Sequence, residues 1–225
     1  MNTVRIHVID LHPSRTPPAL EAVLSDDERD RRDRFYFAPD RQAYTVCRGS
    51  LRHILGMALA QAPDTLRFTL GPYGKPHLAD QEVHFNVSHS ADIAVIAVSE
   101  TTPIGVDIEQ ARRLDDLFAL ARRHFSPTEQ EVLAGLPGSE RVAAFFRCWA
   151  RKEAFIKAIG LGLNFPLHGF DVSLAPGVPA QLLDIRDARH SEGWRLHHLE
   201  IAQGYAAALV TQGTATITVA PFSMP

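Results

Sequence analysis

Two long stretches with the apolar spacing of an α-helix, residues 40–60 and 140–159, constrain the fold of this 225-residue chain most strongly. Shorter helical stretches precede each of them, and segments rich in β-branched residues that predict strands surround both. The order of strand, short helix, long helix and further strands occurs once before about Pro103 and once after it. We therefore predict an α+β protein of two similar halves, 1–103 and 104–225, each a mostly antiparallel sheet packed with a long helix. An undivided α+β fold that shows this order by chance is the alternative.

Composition narrows the class of protein. Hydrophobic residues make up 45% of the chain, enough for a real core, and the net charge is −3, so we expect no nucleic-acid partner. Two cysteines are too few for a disulfide framework or a cysteine-based zinc site. The first residues contain no long apolar run, and no stretch reaches the roughly 18 apolar residues of a membrane span, so we expect no signal peptide and no membrane partner. A cytoplasmic protein is the expectation.

The segment 104–109 alternates between apolar and acidic residues, which predicts a strand with Asp107 and Glu109 on one face. Two carboxylates about 7 Å apart along a strand repel each other unless a cation lies between them. The alternative is an exposed face where water solvates both groups. Gly105, just before the pair, leaves room for the close approach of a ligand.

A face of the second long helix offers a third carboxylate. Trp149, Glu153 and Lys157 are spaced four residues apart and therefore lie on one side of that helix. Glu153 and Lys157 alone would suit an exposed ion pair. Together with the strand carboxylates, Glu153 completes an all-oxygen set suited to Mg²⁺, which also accepts phosphate oxygens. Lys152 and Lys157 would then supply positive charge beside a diphosphate.

Several polar side chains are candidate phosphate or nucleotide contacts. Arg41, Arg48 and Arg52 form a stripe on the first long helix. Lys75 follows a glycine turn. Asn86, Ser88 and His89 lie at a polar turn that we predict between strands 83–87 and 93–99. A solvated stripe and a structural histidine are the alternatives. The chain contains no Walker loop, G-x-G-x-x-G, H-E-x-x-H or G-x-S-x-G motif, which argues against P-loop and serine-hydrolase chemistry.

Five motifs occur in a fixed order along residues 74–158: GKP, FNVSHS, IGVDIE, FSPTE and WARKEAFIKA. In this order they resemble those of the 4'-phosphopantetheinyl transferases of the larger, surfactin-synthetase-activating (Sfp) type. The resemblance extends from about Asp26 to Phe170. It implies a pseudo-dimeric α+β fold, a monomer, with coenzyme A bound between the halves.

The resemblance also implies a reaction. Such enzymes transfer the 4'-phosphopantetheine group of coenzyme A to a serine of an apo acyl or peptidyl carrier protein, which leaves adenosine 3',5'-bisphosphate. The implied Mg²⁺ ligands are Asp107, Glu109 and Glu153, and Lys157 would lie near the diphosphate. The implied coenzyme A contacts are Arg48, Lys75, Ser88 and His89, joined by Asn86 of the same motif, with Arg29, Arg31 and Arg32 near the 3'-phosphate.

For the proton of the acceptor serine, Glu153 is the first candidate base, and Glu129 is a weaker one. Carriers of fatty-acid, polyketide or peptide synthesis are all possible partners. Two other functions stay open at this stage: a catalytically silent protein that binds coenzyme A or carriers, and a Mg²⁺-dependent phosphohydrolase.

Overall fold

A computed structural model describes residues 2–12, 16–79, 83–190 and 192–224. Within these ranges the chain forms helices and strands in mixed order. The strands are β1 (Thr3–Asp10), β2 (Phe68–Leu70), β3 (Pro76–Leu78), β4 (His84–Ser90), β5 (Ile93–Ser99), β6 (Ile104–Gln110), β7 (Phe170–Val172), β8 (Leu182–Ile185), β9 (Trp194–Leu199), β10 (Tyr205–Gln212) and β11 (Thr216–Pro221). The α-helices are α1 (Pro18–Ala22), α2 (Asp26–Asp33), α3 (Ala38–Leu59), α4 (Leu117–His124), α5 (Pro127–Gly135) and α6 (Gly138–Ile159).

Two main sheets organise the fold. The first sheet has the order β11-β1-β5-β4, and the second has the order β6-β10-β9. All of their neighbouring strands are antiparallel except β1 and β11, which are parallel. Two small antiparallel pairs, β2–β3 and β7–β8, lie beside them. The predicted α+β class with mostly antiparallel sheets is therefore confirmed.

Alternating side chains on the strands divide the interior into three apolar clusters. Helix α3 packs on one face of the first sheet, through side chains such as Leu55 and Ile96. Helix α6 packs on one face of the second sheet, through side chains such as Phe155 and Val210. The opposite faces of both sheets share a third cluster that includes Ile6 and Val106. Burial of these apolar faces is the main force that holds the two sheets and the two 22-residue helices together.

The end of the chain departs from a simple division at residues 103 and 104. Strand β11 pairs with β1, with Thr216 opposite Thr3, so the last strand belongs to the first sheet. Phe222 and Met224 also pack against the core under α3. We predict no strand here from the sequence, although the β-branched run Thr-Ile-Thr-Val at 216–219 favours one. Pairing with β1 completes the strand, most of whose side chains are exposed.

Strand β4 is longer than the sequence pattern predicts. The predicted turn at residues 88–90 is wrong, since β4 continues to Ser90 and the turn falls at Ala91, which has a φ of 47°. Ser88 and Ser90 are therefore strand residues whose side chains point in a fixed direction. None of the described helices has the length and apolar character needed to span a bilayer.

Candidate active site

The site lies where α6 crosses β6, and Gly105 makes this crossing possible. A Cβ added to Gly105 would clash with the backbone of α6, at Ala154 and Ala158. The free space that we expected for a ligand is therefore filled by the helix, which corrects that interpretation of Gly105. Because side chains alternate along a strand, Asp107 and Glu109 face the same helix.

Asp107 is the centre of the site. Its side chain is 3% exposed, and its Oδ1 accepts hydrogen bonds from Lys157 Nζ at 2.6 Å and from Ser88 Oγ at 2.7 Å. Its Oδ2 is buried and accepts no hydrogen bond from any of the residues that the structure describes. Burial raises the pKa of this carboxyl, and Lys157 opposes the rise. A buried carboxylate oxygen without a donor favours the approach of a cation.

Glu109 and Glu153 add negative potential around Asp107. Burial, followed by the charge of Asp107, raises the pKa of Glu109, whose Oε2 accepts a hydrogen bond from Ser90 Oγ at 3.1 Å. Burial, followed by repulsion from Asp107 and then Glu109, raises the pKa of Glu153 to about 7, although Lys157 lowers it. The carboxylates on β6 and α6 thus destabilise each other's charged forms, as acidic side chains that share a cation site do.

A row of side chains on β4 bridges the two sheets at this point. Asn86 Oδ1 accepts a hydrogen bond from the Val106 N–H at 2.8 Å, and Ser90 Oγ accepts one from the Gln110 N–H at 3.0 Å. Ser88 Oγ lies between them and accepts a hydrogen bond from Lys157 Nζ at 3.0 Å. Side chains of alternate β4 residues therefore accept hydrogen bonds from β6 backbone N–H groups, which in a continuous sheet would be bonded to a neighbouring strand. The structure gives Asn86 a bridging role, and its predicted contact with coenzyme A stays a prediction.

Three other predicted coenzyme A contacts lie around the seam, the boundary where β4 of the first sheet meets β6 of the second. His89 follows Ser88 on β4 and has a partly accessible side chain, whose pKa is lowered by desolvation and by the charge of Lys157 and raised by that of Asp107. Lys75 donates hydrogen bonds to backbone carbonyls at the end of α6 and at the start of β6. Arg48 forms an ion pair with Glu28, and its guanidinium carbon lies 3.8 Å from the centre of the Phe68 ring. Of these three, only His89 lies beside the carboxylate cluster.

Glu129 and Lys152 do not belong to the site, which corrects two predictions. Lys152 is fully buried and donates hydrogen bonds to the carbonyls of Leu167 and Phe170, so it does not flank a metal. Glu129 is 2% exposed, forms an ion pair with Lys152 at 2.8 Å, and caps α5 through the Ser126 N–H. Its buried, fully engaged carboxylate cannot reach a substrate hydroxyl.

The arginines near α2 and on α3 have protein partners. Arg52 is 2% exposed and is paired with Glu28, and Arg41 donates hydrogen bonds to the carbonyls of Phe35 and Tyr36. This stripe is therefore mainly structural rather than solvated. Of the arginines on α2, Arg29 pairs with Asp26, Arg31 lies over Tyr44, and Arg32 pairs with Glu21 and Asp33.

Sequence profiles match both parts of the chain. The profile of the 4'-phosphopantetheinyl transferase superfamily covers residues 103–210, and that of the 4'-phosphopantetheinyl transferase N-terminal region covers residues 14–101. The 4'-phosphopantetheinyl transferase HetI of Nostoc sp. is 39% identical over 198 residues, which span 86% of this chain and 81% of that protein. The chain belongs to the 4'-phosphopantetheinyl transferase superfamily.

Two further relatives of this superfamily member have the same family name. A putative 4'-phosphopantetheinyl transferase of Synechocystis sp. is 37% identical over 80% of this chain and 73% of its own length. The 4'-phosphopantetheinyl transferase Sfp of Bacillus subtilis is 34% identical over 67% of this chain and 66% of its own length. The predicted family resemblance is confirmed.

The site of this phosphopantetheinyl transferase fits a magnesium ion on the chemistry of its donors. All three carboxylates provide oxygen, and the buried Asp107 Oδ2 has no donor among the described residues. Within the described ranges, no group of three or more carboxylate, imidazole or thiol side chains is arranged so that it could hold a metal ion by itself. Mg²⁺ does not need such a group, because it is held by one or two carboxylates together with water and substrate phosphate.

Sequence reasoning missed Ser90 as a member of this site. Its hydroxyl donates to Glu109 while it accepts from the Gln110 N–H, so it fixes the orientation of that carboxylate. The signal was present in the period-two spacing of Asn86, Ser88 and Ser90, which is the spacing of one strand face. The segment also fits a polar turn, because serine is common in turns.

Proposed function

We propose that this enzyme transfers the 4'-phosphopantetheine group of coenzyme A to a serine hydroxyl of an apo acyl or peptidyl carrier protein. The products are the holo carrier and adenosine 3',5'-bisphosphate. Membership of the superfamily supports the reaction, and one structural observation carries the assignment of the site. Asp107, with its buried oxygen, is held beside Lys157, Ser88 and two further carboxylates at the seam between the sheets.

Asp107, Glu109 and Glu153 are the proposed Mg²⁺ ligands. A Mg²⁺ ion held by these residues would supply positive charge that stabilises the negative charge on the phosphate oxygens during transfer. Ser88 and Ser90 orient two of the three carboxylates by donating hydrogen bonds to them. The residues therefore hold the oxygen atoms in place before substrate arrives.

Lys157 and Glu153 are the proposed catalytic residues. The Lys157 ammonium is 27% exposed and can pass from Asp107 to a phosphate oxygen, where it stabilises the transferring group. Glu153 lies partly buried on α6, close enough to Asp107 and Glu109 for their charges to contribute to its raised pKa, and we propose that its carboxylate accepts the proton of the attacking serine, directly or through a water molecule. The serine oxygen forms a bond to phosphorus, and adenosine 3',5'-bisphosphate departs with the bonding electron pair.

Coenzyme A would lie along the seam between the halves. A cavity of about 470 Å³ lies between the β2–β3 turn and the end of α6, and its lining includes Tyr73, Phe85 and Leu161. Ser88 and His89 lie beside the carboxylates and suit contacts with the diphosphate. Arg48 and the α2 arginines remain predicted contacts. Arg48, Arg29 and Arg32 would have to exchange their present carboxylate partners for phosphate.

The partner and the setting are also proposals. An acidic carrier would suit the basic residues on and before α4, which include Arg112, Arg113, Arg122 and Arg123. Cys47 and Cys148 are free thiols, which agrees with the reducing cytoplasm. We propose a monomer, because one chain contains both sheets and both long helices.

The direct test is incubation of the purified enzyme with coenzyme A, Mg²⁺ and an apo carrier, followed by mass spectrometry of both products. We expect the carrier to gain the mass of one phosphopantetheine arm and adenosine 3',5'-bisphosphate to appear in equal amount. A carrier whose serine is replaced by alanine is the control. Hydrolysed coenzyme A with an unmodified carrier would favour a phosphohydrolase, and binding without any product would favour a silent binding protein.

A further inference from the structure

The Lys75 side chain joins the two halves of the molecule. It begins in the β2–β3 hairpin, whose turn is closed by a hydrogen bond from the Gly71 N–H to the Lys75 carbonyl. Its Nζ lies 2.9 Å from the Ile104 carbonyl oxygen, 2.7 Å from that of Lys157 and 3.3 Å from that of Ala158. An ammonium group has three N–H donors, and here three carbonyl acceptors surround it.

The positions of these three carbonyls show which elements the Lys75 ammonium holds together. Lys157 and Ala158 lie in the last turn of α6, where carbonyls have no partner within the helix and where a cation is favoured by the helix dipole. Ile104 is the first residue of β6. Lys75 therefore ties the end of α6 to the start of β6, next to the close crossing at Gly105.

Lys157 connects this contact to the chemistry. Its backbone carbonyl accepts from Lys75, while its side chain contacts Asp107 and Ser88. We infer that Lys75 is a positioning residue, whose ammonium holds the last turn of α6 so that Lys157 faces the reacting phosphate. The inference rests on the proposed function and replaces the sequence-based expectation that the Lys75 ammonium binds coenzyme A.

The burial of the Lys75 ammonium and the free energy needed to desolvate it support a stable contact with the three carbonyls. Lys75 is partly buried, and this burial lowers its pKa to about 8. Removing an ammonium from water costs free energy unless hydrogen bonds compensate, and the three carbonyl oxygens provide that compensation. Lys75 also lines the cavity of about 470 Å³, so direct contact with coenzyme A is the alternative to be separated by experiment.

The test compares Lys75→Met with Arg67→Met in transfer kinetics. Arg67 is an exposed cation just before β2, so its loss is a matched control for charge. We expect Lys75→Met to lower kcat by roughly 10- to 100-fold, as misplacement of a reacting group does, with little change in KM for coenzyme A at low or high salt. A raised, salt-sensitive KM with unchanged kcat would show a phosphate contact and overturn the inference, as would wild-type kinetics.

A second readout keeps the inference separate from the proposed function. Hydrogen exchange of the amides at 155–160 should become faster in Lys75→Met than in Arg67→Met, whether or not the protein transfers phosphopantetheine. If Lys75→Met does not fold, Lys75→Arg retains donors and should show an intermediate kcat with unchanged KM. Unchanged exchange at the end of α6 would overturn the inference even if transfer itself is demonstrated, and absence of transfer by the wild type would overturn the proposed function alone.

Discussion

At the scale of single residues, the charged groups around Asp107 differ in environment from the buried ion pair of Glu129 and Lys152. The cluster around Asp107 leaves one carboxylate oxygen without a donor among the described residues, which suits a cation. The pair of Glu129 and Lys152 is buried and hydrogen-bonded to backbone groups just before α5, just before β7 and within β7. Both sets stand in the sequence as acidic and basic residues of the same ordered motifs, and only burial and hydrogen-bond partners separate them.

Glu129→Gln tests this distinction. We expect the substitution to destabilise the protein by roughly 3 kcal/mol or more, because it leaves the Lys152 ammonium buried without its anion. The transfer rate of the folded enzyme should stay close to that of wild type. Urea unfolding and single-turnover transfer at low temperature measure the two effects, with the exposed Glu131→Gln on the same helix as control. A large rate loss without destabilisation would restore Glu129 as a candidate base.

At the scale of elements, the contact between α6 and β6 builds the site. The sequence spacing predicts that Asp107 and Glu109 share one face of a strand and that Glu153 and Lys157 share one face of a helix. The structure brings the two faces together, with Asp107 in contact with Lys157. What the spacing could not show is that Gly105 brings the helix to the strand. A glycine has no side chain to reveal its neighbour, so helix and ligand were equally compatible with the sequence.

Gly105→Ala should therefore damage stability and activity together. The added Cβ would clash with backbone atoms of α6, which cannot move aside as a flexible side chain can. We expect a loss of at least about 1–3 kcal/mol, the usual cost of overpacking, together with slower transfer as Lys157 moves from Asp107. Thermal unfolding and steady-state kinetics measure both. Gly138→Ala, in open space at the start of α6, is the control, and equal effects of the two substitutions would contradict this account.

At the scale of the whole molecule, the active site depends on both sheets. Strand β4 of the first sheet orients the carboxylates of β6 in the second, and Lys75 reaches from one half to the helix of the other. The fold class and both long helices could be predicted, because helical and strand periodicities are local properties of the sequence. The pairing partner of β11 could not, since β11 joins Thr216 to Thr3 across most of the chain length, although its β-branched residues favour a strand locally.

Binding of Mg²⁺ tests the central claim that the carboxylates of β6 and α6 form one metal site. Isothermal titration of Mg²⁺ into the enzyme saturated with coenzyme A should show one site in the wild type and in the exposed control Glu100→Gln. Asp107→Asn and Glu153→Gln should each weaken binding by at least about 10-fold, the lower end of the loss caused even by outer-shell partners of metal sites. Wild-type Mg²⁺ affinity in both variants, with the fold intact, would contradict the claim.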